Sequence, residues 1–245
     1  MNRFAGKRLL VTGAASGIGR ATALRLAAEN GCVVAIDRDS VGLKELKDNR
    51  ITVHVADVAK ESDVVDAVNT AGEILGGLDA LINVAGVHRI TPMDALTPAD
   101  FHDLFAINCI GPALLCREAM PYLMDTRGVV VNVASTAATH GHPYMTAYAA
   151  SKGALLALSY SLAAEVAPHG VRVVAVSPGG VRTPMVTTME VPEGADIDLN
   201  FFSRTQPLTG YGEPEQIAAT IAYAASSDGS YLTGVDLRVD GGSHV

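Results

Sequence analysis

Along the chain, short apolar runs alternate with longer segments in which apolar residues recur every three or four positions. The short runs are 8–12, 32–37, 52–56, 80–84, 129–134, 172–177 and 235–239. Most are rich in Val, Ile and Leu and lack polar alternation, which is how strands covered on both faces read. The longer segments, 17–30, 61–75, 98–123, 148–167 and 214–225, carry the helical period. Strand and helix alternate over the whole length. That order predicts an α/β chain, a doubly wound parallel sheet of about seven strands with helices on both faces.

Several helix ends are legible. Thr97-Pro98 and Glu213-Pro214 each place a cap before a proline at the first helical position. Glu61 or Ser62 opens the third helical segment, and Gly76-Gly77 closes it. No internal repeat or flexible linker interrupts the pattern, so residues 1–245 read as one domain. The long stretch without clear periodicity is 179–212, with Pro184, Pro192, Pro207 and the acids Glu190, Glu193, Asp196 and Asp198. Such a stretch inside a compact domain is usually functional, and 180–212 is expected to form a substrate-binding lid.

Composition narrows the partners. The 245 residues carry a formal charge of −8, and the basic residues form no block. Nucleic acid and anionic membrane both need a positive patch, so neither is expected as a partner. No apolar run approaches the ~20 residues of a membrane span. Near the N-terminus, Leu9, Leu10 and Val11 run straight into a glycine-rich turn, too short for a secretory core. Cys32, Cys109 and Cys116 form no C-x-x-C and each sits in an apolar stretch. They are expected to be reduced, buried small hydrophobes in a cytoplasmic protein.

The first chemical signal follows the first strand. Thr12-Gly13-Ala14-Ala15-Ser16-Gly17-Ile18-Gly19 leads directly into a helix. Such a turn aims backbone N–H groups and the helix start at an anion. Gly13 permits the tight turn, while Gly17 and Gly19 remove side chains where a pyrophosphate approaches and where helix packs on strand. The spacing is G-x-x-x-G-x-G, and its place at strand 1 of an alternating chain points to a Rossmann-type dinucleotide fold. The second strand ends at Asp37, an acid that can accept bonds from ribose hydroxyls and repel a 2′-phosphate. This favours NAD(H), although Arg38 follows directly and can reach a phosphate. Asp57 and Asn83-Val84-Ala85-Gly86 follow the third and fourth strands, at the carboxyl ends where open α/β sheets bind ligands.

The second signal is Tyr148 and Lys152, four apart on one helix face. A phenol titrates near ~10, and a nearby ammonium lowers that value toward the range a general acid/base needs. Ser135 closes the fifth strand, where its hydroxyl can hold a substrate oxygen.

With these residues in order, the sequence resembles the classical short-chain dehydrogenase/reductase family over essentially its whole length. The markers are Thr12-Gly13-(x)3-Gly17-Ile18-Gly19, Asn83-Val84-Ala85-Gly86, Asn108, Ser135, Tyr148-(x)3-Lys152 and Pro178-Gly179. The family's Asn-Asn-Ala-Gly stands here as Asn-Val-Ala-Gly. The resemblance implies that Tyr148 transfers the proton and Ser135 positions the substrate oxygen. It implies that Lys152 binds the nicotinamide ribose and acidifies Tyr148, and that Asn108 anchors a water leading to Lys152. It further implies Ser16 and Ile18 in the phosphate turn and Asp57 and Val58 at the adenine. Asn83, Ala85 and Gly86 would lie at the ribose side, and Pro178, Gly179, Val181 and Thr183 at the nicotinamide amide. Val239-Asp240-Gly241-Gly242 resembles the family's last strand and exit, and a homo-oligomer, a tetramer, is implied.

The expected substrate wall is Ala137, His140, His142, Met145, Val181, Met185 and parts of 186–203, mostly apolar. The expected substrate is a medium or bulky apolar ketone or alcohol, cyclic, aryl or steroid-like. Reduction of a 3-oxoacyl thioester is the alternative, with a non-catalytic nucleotide-binding scaffold behind it. His140 and His142 have no third ligand nearby, so no metal is expected.

Overall fold

The computed structural model describes residues 2–188 and 197–244. Seven parallel strands, β1 (Arg8–Thr12), β2 (Cys32–Asp37), β3 (Ile51–Val55), β4 (Ala80–Asn83), β5 (Val129–Val133), β6 (Arg172–Pro178) and β7 (Val235–Val239), lie in the order β3-β2-β1-β4-β5-β6-β7. The helices are α1 (Gly17–Ala28), α2 (Ser40–Leu43), α3 (Glu61–Leu75), α4 (Pro98–Phe105), α5 (Gly111–Thr126), α6 (Thr146–Val166), α7 (Pro184–Thr187) and α8 (Pro214–Ala225).

The strands alternate between two cores. On β1 and β2, Leu9, Val11, Val33 and Ala35 join Ala23 and Leu26 of α1 and Ile217 and Ile221 of α8. Leu10, Val34 and Ile36 point the other way, to Val64 and Val68 of α3 and Leu115 and Leu123 of α5. This explains the continuous apolar runs: each face of a central strand meets a helical layer. The edge strands depart from that reading. Val53 and Val55 of β3 are exposed, and β7 is only half-buried, because each has one neighbour and incomplete cover.

The caps form as the sequence indicated. Thr97 and Asp100 make a reciprocal capping box before α4, and Glu213 and Gln216 do so before α8. Gly76 adopts φ 72° after α3. The expected helix 98–123 is instead broken. Residues Ala106–Ile110 form a π turn between α4 and α5, with Gly111 N–H bonded to Ala106 O, five residues back. Pro112 has no N–H to return to Asn108 O, so the regular ladder cannot run through this point. The stretch 180–212 also holds more structure than expected, α7 and a 3-10 segment Leu199–Thr205. Glu190, Pro192, Glu193 and Asp196 lie outside the described residues. Of the cysteines only Cys116 is fully buried; Cys109 is half-buried and Cys32 exposed, all with free thiols.

Candidate active site

Strand order reverses between β1 and β4, the place where open sheets leave a crevice. The carboxyl ends of β1 to β6 deliver residues to one cavity of about 580 Å3. Thr12 ties the two central strands together there: its hydroxyl accepts from the N–H groups of Val84 (3.0 Å) and Ala85 (2.9 Å). Gly13 has φ 68°, and a Cβ on it would lie 2.8 Å from the Ala85 backbone. A Cβ on Gly19 would collide outright with Gly13 O. Both glycines are therefore dictated by backbone meeting backbone.

α1 begins at this cradle without a side-chain cap, for Ser16 makes no capping bond and the first turn has no acid. Its leading N–H groups are available to an anion, and Ser16, Gly17, Ile18 and Gly19 all line the cavity. Asp37 accepts from Ala15 N–H (3.0 Å) and Asp39 N–H (3.0 Å), which fixes its carboxylate at the rim. Arg38, Asp57 and Val58 line the same end. The cradle, the uncapped helix start and the fixed acid fit a dinucleotide's pyrophosphate and ribose.

At the other end, Ser135, Tyr148 and Lys152 come together in the lining. Tyr148 is buried, with the Ser135 hydroxyl near enough to oppose the rise in its pKa. Ser135 Oγ also accepts from Ala137 N–H at 3.1 Å. The Lys152 ammonium donates to Val133 O at 2.8 Å. Burial lowers Lys152 to about 8, opposed by the Cys109 thiol. Burial pushes the Tyr148 phenol above its ordinary value, opposed by Ser135. The expected acidification of Tyr148 by Lys152 is thus reversed in the protein alone, because desolvation of the phenol dominates and the ammonium is turned to a carbonyl.

The π turn places Asn108 with its carboxamide oxygen accepting from Val87 N–H (2.8 Å). Its amide donates to Val87 O (2.9 Å) and Ser151 Oγ (3.0 Å). Asn108 is fully buried, and a Cβ on Gly86 would approach both Asn108 Oδ1 and Lys152 Nζ at 3.2 Å. Gly86 is the spacer that lets these polar groups sit beneath the cavity floor.

Ala85, Gly86, Pro178, Gly179, Val181, Thr183, Met145 and Met185 also lie in the lining, as expected. Besides Asn108, which sits beneath the floor, three expected residues do not. Asn83 points into the core, donating to Asn132 Oδ1 (2.9 Å) and Cys116 Sγ (3.7 Å), because the last residue of β4 faces α5. Ala137 is packed behind Tyr148 with Leu104 and Ala147, since the 3-10 turn Thr136–Ala138 turns it inward. His140 stacks on His244 with ring centroids 4.2 Å apart, away from the lining. Thr12 stood in the glycine motif without a role of its own, and Val87, His88, Ile90 and Tyr211 lay outside every motif. His88, two positions past the Asn-Val-Ala-Gly turn, carried the one available signal: a polar ring beside a binding turn.

Residues 13–244 match the family described as enoyl-(acyl carrier protein) reductase. The chain is 39% identical over 242 residues to the uncharacterized short-chain type dehydrogenase/reductase y4vI of Sinorhizobium fredii, covering 97% of this chain but only 43% of that one. A 3-ketoacyl-(acyl-carrier-protein) reductase from Brucella melitensis, solved with NADH, superposes with TM-score 0.89 at 33% identity, covering 98% of this chain and 99% of that one. A short chain dehydrogenase from Burkholderia cenocepacia, solved with NADP, superposes with TM-score 0.88 at 31% identity, covering 100% of both. The chain belongs to the short-chain dehydrogenase/reductase family, and its class is that of an oxidoreductase on a nucleotide-binding fold. No described helix is long and apolar enough to cross a membrane. Among the described residues, no group of three or more His, Cys, Asp and Glu is placed to hold a metal ion.

Proposed function

We propose that this enzyme interconverts a secondary alcohol and a ketone, with NAD(H) as the hydride partner and Tyr148 as the proton carrier. The observation that carries the reading is the convergence of Ser135, Tyr148 and Lys152 on the cavity that the glycine cradle opens. The nicotinamide supplies or accepts the hydride when bound. Ser135 holds the substrate oxygen and the charge that develops on it. Tyr148 gives or takes the proton at that oxygen. The Lys152 ammonium, beside the phenol's helix turn, favours the phenolate once it leaves Val133 O for the site. Asn108 is a positioning residue that holds the Val87 turn and, through Ser151, the helix carrying Tyr148.

Asp37 supports NAD(H) over NADP(H), because a fixed carboxylate at the ribose end repels a 2′-phosphate. The described lining at the reactive end, Val87, Ile90, Met145, Met185, Val186 and Phe202, suits a medium or bulky apolar substrate, cyclic, aryl or steroid-like. The match to carrier-protein reductases favours one alternative, reduction of a 3-oxoacyl thioester. The charge of −8 opposes docking of an acidic carrier. We place the enzyme in the cytoplasm as a homo-oligomer, a tetramer.

The test is a panel of ketones and alcohols followed at the NADH absorbance band, with NAD(H) and NADP(H) side by side and a 3-oxoacyl thioester included. Turnover of simple ketones with NADH supports the reading. Turnover of the thioester alone selects the alternative.

A further inference from the structure

Beyond Ser135 and Lys152, two imidazoles stand among the apolar side chains that line the cavity near Tyr148. The His88 ring meets the Tyr148 ring edge to face, with centroids 4.9 Å apart and planes at 70°. His88 Nε2 lies 3.2 Å from Met145 Sδ. A thioether has no proton to give, so the hydrogen of that contact sits on Nε2 and Nδ1 is left as a bare acceptor. On another side of the same cavity, His142 Nε2 lies 3.3 Å from the hydroxyl of Thr136, the residue after Ser135. One nitrogen of each ring is thus committed to a neighbour, and the other is not used in these contacts.

The rings are also neutral and held. Burial lowers His88, and burial with the neighbouring His244, His140 and His88 lowers His142 to about 4. His244 packs edge-on against His142 at 5.2 Å between centroids and stacks on His140, with Arg238 3.4 Å beyond His140. The cations among the described lining residues are Arg38, at the ribose rim, and Lys152, on Val133 O. Lys152 is engaged with Val133 O and serves Tyr148, and the rest of the reactive end offers hydrogen bonds without a positive charge, which suits a hydroxyl or carbonyl and gives a carboxylate or phosphate no cation of its own.

We propose that His88 and His142 form a neutral hydrogen-bonding pair that selects substrates bearing a second, uncharged oxygen close to the carbon that reacts at Tyr148. The substrate class is a hydroxyketone, diol or diketone whose bulk is apolar. The inference rests on the reading of Tyr148 as the proton carrier, and it narrows the substrate within that reading. The reason for selection is an asymmetry: a pocket that holds an unpaired polar ring rejects a substrate unable to satisfy it more strongly than it rejects a change of size.

The test compares matched alcohols, each with and without a hydroxyl on the adjacent carbon, over several ring sizes and chain lengths. The quantity read is the ratio of kcat/KM within each pair, taken in the wild type, His88→Phe, His88→Gln, His142→Phe and the double Phe variant. A within-protein ratio cancels any general loss of activity, and Phe at 88 retains a ring edge against Tyr148. We expect a preference for the hydroxylated member of about 10-fold or more in the wild type. It falls toward 1 in the double Phe variant, and His88→Gln retains part of what His88→Phe loses. Equal turnover within every pair, or a preference that survives the double Phe variant, overturns the proposal. If no alcohol turns over with either dinucleotide, the redox reading itself fails and the proposal goes with it.

Discussion

The ammonium of Lys152 donates to the carbonyl of Val133 at 2.8 Å, and the two lie in a wholly buried setting on α6 and β5. The lysine is thus held charged where charge is disfavoured, and its pKa drops from 10.5 to about 8. Because the folded value lies below the unfolded one, the unfolded chain binds more protons between these values, and stability rises with pH across that window. Lys152→Met should abolish turnover yet raise stability at pH 7 by about 1–3 kcal/mol, an advantage that fades by about pH 10.5. Denaturant melts at pH 7 and pH 10 check this. A variant less stable than wild type at pH 7 would contradict it.

Tyr148→Phe removes only the buried phenolic hydroxyl beside Ser135. Turnover should fall by at least ~100-fold, the usual contribution of a positioned acid/base. The dissociation constant for NADH, read by fluorescence titration, should stay within about twofold, as the removal of a single modest hydrogen bond allows. Undiminished turnover would remove Tyr148 from the chemistry.

The pH dependence carries a sign. Burial raises the phenol, so in the protein alone the proton is held above the ordinary range. Alcohol oxidation needs the deprotonated form, and its kcat should climb with pH, while ketone reduction should climb as pH falls. Rate profiles in both directions test this, and parallel slopes would count against a titrating phenol.

Asp37→Ala takes away the carboxylate that Ala15 and Asp39 N–H groups fix at the rim. The NAD-to-NADP ratio of kcat/KM should narrow by about 10-fold, the effect of one charge-assisted hydrogen bond and its repulsion of a 2′-phosphate. An unchanged ratio would separate Asp37 from the ribose.

Gly19→Ala would drive a methyl group into Gly13 O, a backbone atom with nowhere to go. The variant should lose about 1–3 kcal/mol of stability and most of its dinucleotide affinity. Thermal melts with and without NADH read both effects, and an unshifted melt with full NADH protection would refute the cradle.

What could be read from the chain alone were local patterns with short-range causes. The seven apolar runs located the strands to within one or two residues, because a strand between two helical layers has no polar face. The cradle glycines and the Tyr148–Lys152 spacing were legible for the same kind of reason, steric in one case and helical in the other. Tertiary packing decided the rest. Asn83 and Ala137 turned inward and His140 turned away, since which side a strand end or turn faces depends on the layer packed against it. The π turn at Asn108 arose where a proline met a close approach to Val58 O, between segments far apart in sequence. The direction of the Tyr148 and Lys152 shifts came from burial, which residue spacing does not encode. Sequence order determined which groups share the site, and packing decided how each is solvated there.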